Sequence, residues 1–166
     1  YEELNPQYIT VAFDKDKHTF RNDLYADYKA TRKPAPDELR PQFALIREVL
    51  ACLGIRVLEI EGYEGDDIIG TVAKNIPDAD TDISVITGDR DALQLVDDRI
   101  TVYLTKKGIS TMFAVTPAVM RSEYGYTPSQ VIDMKALMGD ASDNIPGVSG
   151  VGEKTAQKLI AEYGTV

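Results

Sequence analysis

Apolar and polar positions fall in blocks along this chain, and the length and period of each block predict its element. Residues 7–13, QYITVAF, are rich in β-branched and aromatic side chains and predict a strand ending at Asp14. In residues 41–53, Phe43, Ile46, Leu50 and Leu53 recur at spacings of three and four, which predicts a helix closed by Gly54. Residues 56–60, RVLEI, read as a second strand, followed by EGYEGDD and a helix on which Ile68 and Val72 share a face. Residues 82–86, DISVI, read as a third strand, running into TGDRD and a short helix through Leu95. Residues 100–104 make a fourth, and residues 105–115 a hairpin. Beyond Thr116 the pattern is helical, with Pro117 and Pro128 near helix starts. Between the first strand and the first helix, residues 15–41 are polar and carry Lys29, Arg32, Lys33, Pro34 and Pro36; they predict a partly helical, mobile connection.

Strands alternating with helices imply an α/β domain with a mainly parallel sheet, and the helical tail implies a subdomain beside it. We place the division at 1–115 and 116–166. Composition changes this picture little. The 43% apolar content can fill a core, and no apolar run approaches the roughly 18 residues that a membrane span needs. A single cysteine, Cys52, cannot form an internal disulfide and points to a reducing compartment; its place in an apolar helix predicts a small buried side chain. His18, in a polar stretch, reads as a surface residue. The chain opens already close to a strand and stops just past a helix, so it reads as a fragment of a longer protein.

Charge matters more by place than by sum. The net charge of −9 argues against holding nucleic acid by bulk attraction. The acids, however, gather after strands: Asp14 after the first, Glu64, Asp66 and Asp67 after the second, Asp89 and Asp91 after the third. In a parallel sheet the carboxyl ends of strands lie together, where open α/β sheets bind ligands. Asp140 and Asp143 could close the group from the helical tail. Asp66, Asp67, Asp89 and Asp91 could each instead be a helix cap, and Asp140, Ser142 and Asp143 turn formers. Capping needs one acid per helix, and EGYEGDD supplies three in four positions. Like charges so placed repel, and a divalent cation removes the conflict. Hard oxygen donors without His or Cys indicate Mg²⁺ or Mn²⁺. With this many carboxylates two ions fit, and two ions about 4 Å apart can activate water and stabilise a leaving oxygen.

The second motif is GVSGVGEKTA. Gly147, Gly150 and Gly152 allow a tight turn, and a helix starting at Glu153 turns its first N–H groups outward, an arrangement suited to phosphate. Lys154 and Lys158 add positive charge there. The structural alternative is a glycine-rich connection between two helices.

Together AFD, YADYKATRKP, EGYEGDDIIGTVA, VITGDRDALQLV and KALMGDASDNIPGVSGVGEKTAQKL resemble the 5′-nuclease family, in particular its bacterial 5′→3′ exonuclease domains, relatives of the flap endonucleases. The resemblance runs in order from about Tyr8 to the C-terminus. It implies a PIN-like fold with a helix–hairpin–helix DNA-binding subdomain. It implies a bacterial, cytoplasmic, nucleoid-associated, monomeric hydrolase for duplex DNA with a 5′ end or 5′ flap, acting in replication and repair, with a polymerase domain following in the full-length chain. By motif position, Asp14, Glu64, Asp66 and Asp67 would serve a first metal site, and Asp89, Asp91, Asp140 and Asp143 a second. Tyr28, Lys29 and Arg32 match the YKxxR segment of a helical arch, about residues 16–40, where Lys29 and Arg32 would act on the scissile phosphate. Tyr25 and Tyr28 could stack on a displaced base or pack within the arch. Gly147, Gly150, Gly152, Lys154, Thr155 and Lys158 match the hairpin that grips duplex backbone, with a K⁺ ion at its carbonyls.

The family's first strand, with a further metal-binding Asp, should precede Tyr1. The resemblance therefore implies an incomplete first metal site and a chain that is weak or inactive as a nuclease, a flap-binding module being the alternative. Gly65 stands where Ala is common in the family. An RNA-cleaving PIN-type toxin would share the acidic pocket but neither the YKxxR segment nor the helix–hairpin–helix.

Overall fold

The structure is a computed structural model, described for residues 4–105 and 111–166. The chain forms two compact units, Tyr1–Ile69 and Gly70–Val166.

In the first unit β1 (Thr10–Ala12) runs parallel to β2 (Arg56–Leu58), with Thr10 opposite Arg56 and Ala12 opposite Leu58. A parallel pair needs a long crossover. Here it holds α1 (Phe20–Leu24) and α2 (Arg40–Cys52). Both strands are shorter than the apolar runs that predict them, because the pairing ends one bond beyond β1, where the Phe13 N–H donates to the Leu58 carbonyl at 3.1 Å. Helix α2 has nearly the predicted bounds but not the predicted burial. Leu50 is buried, whereas Phe43 is 42% and Leu53 66% exposed. Cys52 is also exposed, correcting the buried side chain expected there. It lies two residues from Leu50, about 200° round the helix, on the side away from the contact that Leu50 makes. Helix α3 (Gly65–Asn75) begins directly after Glu64.

In the second unit β3 (Ile83–Thr87) pairs parallel with β4 (Ile100–Thr105), and β4 pairs antiparallel with β5 (Met112–Val115). The hairpin expected over 105–115 is therefore present in its strands; its turn lies outside the described residues. Ile100, Val102 and Leu104 alternate inward on β4 and are buried, which is the period-two pattern of a one-sided strand. A 3₁₀ turn, Arg90–Leu95, follows β3 and buries Leu93. After β5, α4 (Pro117–Val119) continues into a π-helical turn, Met120–Tyr124, that ends at Gly125 in the left-handed region.

The rest is helix, hairpin, helix. Helix α5 (Gln130–Met138) leads into β6 (Gly139–Asp140), which pairs antiparallel with β7 (Ile145–Pro146); a glycine turn then leads into α6 (Glu153–Tyr163). Met134 of α5 packs with Ala156 and Ile160 of α6, and all three are buried. The hairpin is drawn tight by two glycines. A Cβ on Gly139, at φ +73°, would come within 2.3 Å of the Gly147 nitrogen, and one on Gly147 within 2.2 Å of the Met138 carbonyl carbon.

Candidate functional site

The candidate residues lie in each unit as a carboxylate group closed by side-chain cations. In the first unit the group forms around the start of α3, whose opening N–H groups have no partner within the helix. Asp14, just past β1, accepts the Gly65 N–H at 2.6 Å. Asp67 Oδ2 turns back to accept the Glu64 N–H at 2.9 Å. The cap reading of Asp67 is thus correct locally, and Asp14 serves the same helix start from β1. Arg21, on α1, forms two parallel bonds of 2.7 Å to the Asp67 oxygens and lies 3.9 Å from Glu64 Oε2. The Arg21 hydrogen bond holds the Asp67 carboxyl below its usual range against the opposing effect of burial. Lys29 Nζ lies 2.8 Å from Glu64 Oε1, and the Tyr28 hydroxyl donates to Glu64 Oε2 at 3.1 Å.

Glu64 is buried, so these donors satisfy a charge that water does not. Lys29 adopts φ +55°, a left-handed conformation that costs a non-glycine residue roughly 1–2 kcal/mol. Tyr28, expected at the DNA, is instead buried with its hydroxyl on Glu64, which removes its ring from any stacking surface. Arg32 and Asp66 are exposed in the same unit.

In the second unit Asp89 caps the 3₁₀ turn by accepting the Asp91 N–H at 2.8 Å. Asp140 sits on β6 and accepts the Ser142 N–H at 2.8 Å, the Ser142 hydroxyl at 2.7 Å and the Asp143 N–H at 3.3 Å. Lys135 Nζ lies 2.7 Å from Asp140 Oδ2 and 2.7 Å from Asp91 Oδ1. Lys135 thus bridges the two carboxylates, and it is the one donor group within reach of the buried Asp91 Oδ1 among the described residues. Burial raises the Asp91 carboxyl above its usual range despite Lys135. Burial acts the same way on Asp140, but the bonds from Lys135 and Ser142 outweigh it and hold that carboxyl well below the range.

Two carboxylate oxygens gathered on one cation, one of them buried, form a hard-oxygen donor pair of the type that a divalent ion takes. Among the described residues no three His, Cys, Asp or Glu side chains gather closely enough to hold a metal. Side-chain cations sit among the acids: Asp91 feels the charges of both Asp89 and Asp140 with Lys135 against it, and Arg21 and Lys29 meet Asp67 and Glu64.

The glycine turn carries the other candidates. Gly150 has φ +80° with open space around it, and Gly152 precedes α6 in extended backbone. Lys154, Thr155 and Lys158 are exposed on the first turns of α6. Gly147 has a packing role that the sequence did not reveal, the close approach to Met138 and Gly139. Arg21 and Lys135 were not foreseen. Lys135 had a signal, a lone cation in the apolar run that precedes Asp140; Arg21 had none.

Comparison with known proteins gives concordant results. The profile of the 5′-3′ exonuclease N-terminal resolvase-like domain matches residues 1–125, and that of the 5′-3′ exonuclease C-terminal SAM fold matches residues 126–166. DNA polymerase I of Streptococcus pneumoniae strain R6 is 51% identical over 165 residues, which is 99% of this chain and 19% of that protein. DNA polymerase I of Bacillus caldotenax is 49% identical over 164 residues, again 99% and 19%. The chain thus spans about a fifth of the length of these relatives. Among solved structures, the bacteriophage T5 flap endonuclease, in a pseudo-enzyme–product complex with DNA and metal ions, superposes with a TM-score of 0.81 at 26% identity, covering 99% of this chain and 63% of that one.

Proposed function

The chain belongs to the 5′-3′ exonuclease family, and on that premise we propose that it is the 5′-nuclease part of a bacterial DNA polymerase I. It would hydrolyse DNA phosphodiester bonds at 5′ ends and 5′ flaps during replication and repair, with divalent metal ions. The observation that carries this proposal is the Asp91–Asp140 pair, whose two oxygens are directed onto one ammonium. The T5 relative, solved with DNA and metal ions, supports the same ligand classes.

Asp14, Glu64, Asp66 and Asp67 would hold one Mg²⁺ or Mn²⁺, and Asp89, Asp91, Asp140 and Asp143 a second. Bound there, the ions supply Lewis acidity, which activates water and neutralises a leaving oxygen. The protein's own groups do the rest. Lys29 and Arg32 meet the scissile phosphate and stabilise its developing charge, so Lys29 must leave Glu64 when substrate arrives. Tyr28 keeps Glu64 oriented. Lys154, Thr155, Lys158 and the N–H groups following Gly150 and Gly152 hold the duplex backbone, and the turn carbonyls would hold a K⁺ ion. None of these contacts reads a base, so the grip is without sequence preference. The products are a 5′-phosphate and a 3′-hydroxyl. A polymerase domain would follow in the full-length, monomeric, cytoplasmic protein. Among the described residues no helix is long and apolar enough to cross a membrane.

The second reading is a catalytically impaired flap-binding module of the same family. A labelled 5′-flap duplex, incubated with Mg²⁺, Mn²⁺ or chelator, separates the two. Asp89→Asn keeps the oxygen that caps Asp91 and removes only the charge, so it should abolish cleavage and leave duplex binding intact. Unchanged cleavage would refute the metal assignment; binding without cleavage by the unmutated chain would favour the module.

A further inference from the structure

The second carboxylate group contains a residue that the metal assignment does not use. Lys135 extends from α5 and puts one nitrogen 2.7 Å from both Asp91 Oδ1 and Asp140 Oδ2. Two carboxylate oxygens that touch one nitrogen are too close to stay charged without a cation between them. Asp140 has other donors, the Ser142 hydroxyl and N–H. Asp91 Oδ1 is buried with no donor but Lys135 among the described residues, so the ammonium is what keeps its charge tolerable. Lysine suits a temporary counter-charge, being a compact point charge on a flexible stem with no fixed fork geometry.

We propose that Lys135 is a positioning residue that holds Asp91 and Asp140 together in the metal-free protein and gives up its place to an entering divalent ion. This inference rests on the assignment of Asp91 and Asp140 to a metal site. A hard ion of Mg²⁺ type draws its oxygens to about 2.0–2.1 Å. The space between these two oxygens cannot hold that ion and an ammonium at once. Binding is therefore an exchange of cations, with the ligands already gathered and the resident charge opposing entry. Removing the charge should tighten metal binding even though it loosens the metal-free site.

The test is a Mn²⁺ titration followed by the electron paramagnetic resonance of the free ion, using this chain and the variants Lys135→Met, Lys135→Gln, Lys135→Arg and Asp140→Asn. The site in question is the binding that Asp140→Asn removes. Lys135→Met and Lys135→Gln should bind Mn²⁺ there on the order of tenfold tighter, since a neighbouring like charge is gone. Lys135→Arg, which keeps the charge, should stay close to the unmutated chain. In chelator, Lys135→Met should melt at a lower temperature, and adding Asp140→Asn should cancel that loss; Lys135→Gln provides the same reading if the Met variant does not fold. If the neutral variants bind Mn²⁺ equally or more weakly while the Asp140-dependent site remains, the exchange is refuted and the metal assignment stands. If no variant shows Asp140-dependent binding, the assignment falls and the inference with it.

Discussion

Arg21 meets Asp67 through two bonds of 2.7 Å, the geometry for which a planar guanidinium is built. Because Arg21 depresses the Asp67 carboxyl, the sign of its pH dependence is fixed. A carboxyl with a folded pKa below its unfolded value adds stability above the unfolded pKa, and that stability is lost as pH falls through the folded one. In metal-free buffer Arg21→Met should therefore lose about 1–2 kcal/mol at neutral pH. The gap should close in acid, where Asp67 is protonated in both proteins. Urea midpoints across pH measure this; a gap that stayed constant would mean that the pair adds nothing. The partners are 46 residues apart, and FRNDL carries no period or motif that announces a long-range ion pair. The acids could be located from sequence because strand ends and motifs mark them. Of the cations that hold them, Lys29 is marked by its motif and Arg21 is not, since a surface cation and a buried counter-charge look alike in sequence.

At the scale of elements, period predicts existence better than cover. The three-and-four spacing places α2 within a residue of its bounds, yet Phe43, Ile46 and Leu53 remain exposed. Periodicity reports that a face is apolar and is silent on what lies against it. The β6–β7 ladder went unforeseen for a different reason: two residues per strand are too few to alternate. Its glycines are legible only in three dimensions. Gly147→Ala should cost about 3 kcal/mol, because the new methyl group meets backbone that cannot swing aside. Gly152→Ala, where a Cβ meets nothing within 4 Å, should change stability by less than about 0.5 kcal/mol. Thermal melts of the two variants make the comparison; equal losses would show that the close approach relaxes without cost.

The whole molecule carries a net charge of −9 and still has a polyanion as its proposed substrate. Attraction must then be local, and few counterions are released on binding. Lys154→Ala should weaken duplex binding several-fold, uniformly across sequences, and lower the slope of log affinity against log salt by about 1. Binding isotherms at several salt concentrations give that slope; an unchanged slope would remove Lys154 from the DNA surface. The α/β class and the terminal helix–hairpin–helix were legible because block lengths and two specific motifs encode them.

The backbone crossing at Gly139 and Gly147 bears on genetics as well as on stability. Asp140 directly follows one of these glycines, and the turn proposed to meet the duplex begins at the other. Damage at either should unseat the acid and the grip together. Separation-of-function alleles, which bind without cutting or cut without binding, should then be recoverable at Asp140 and Lys154 but not at Gly139 or Gly147.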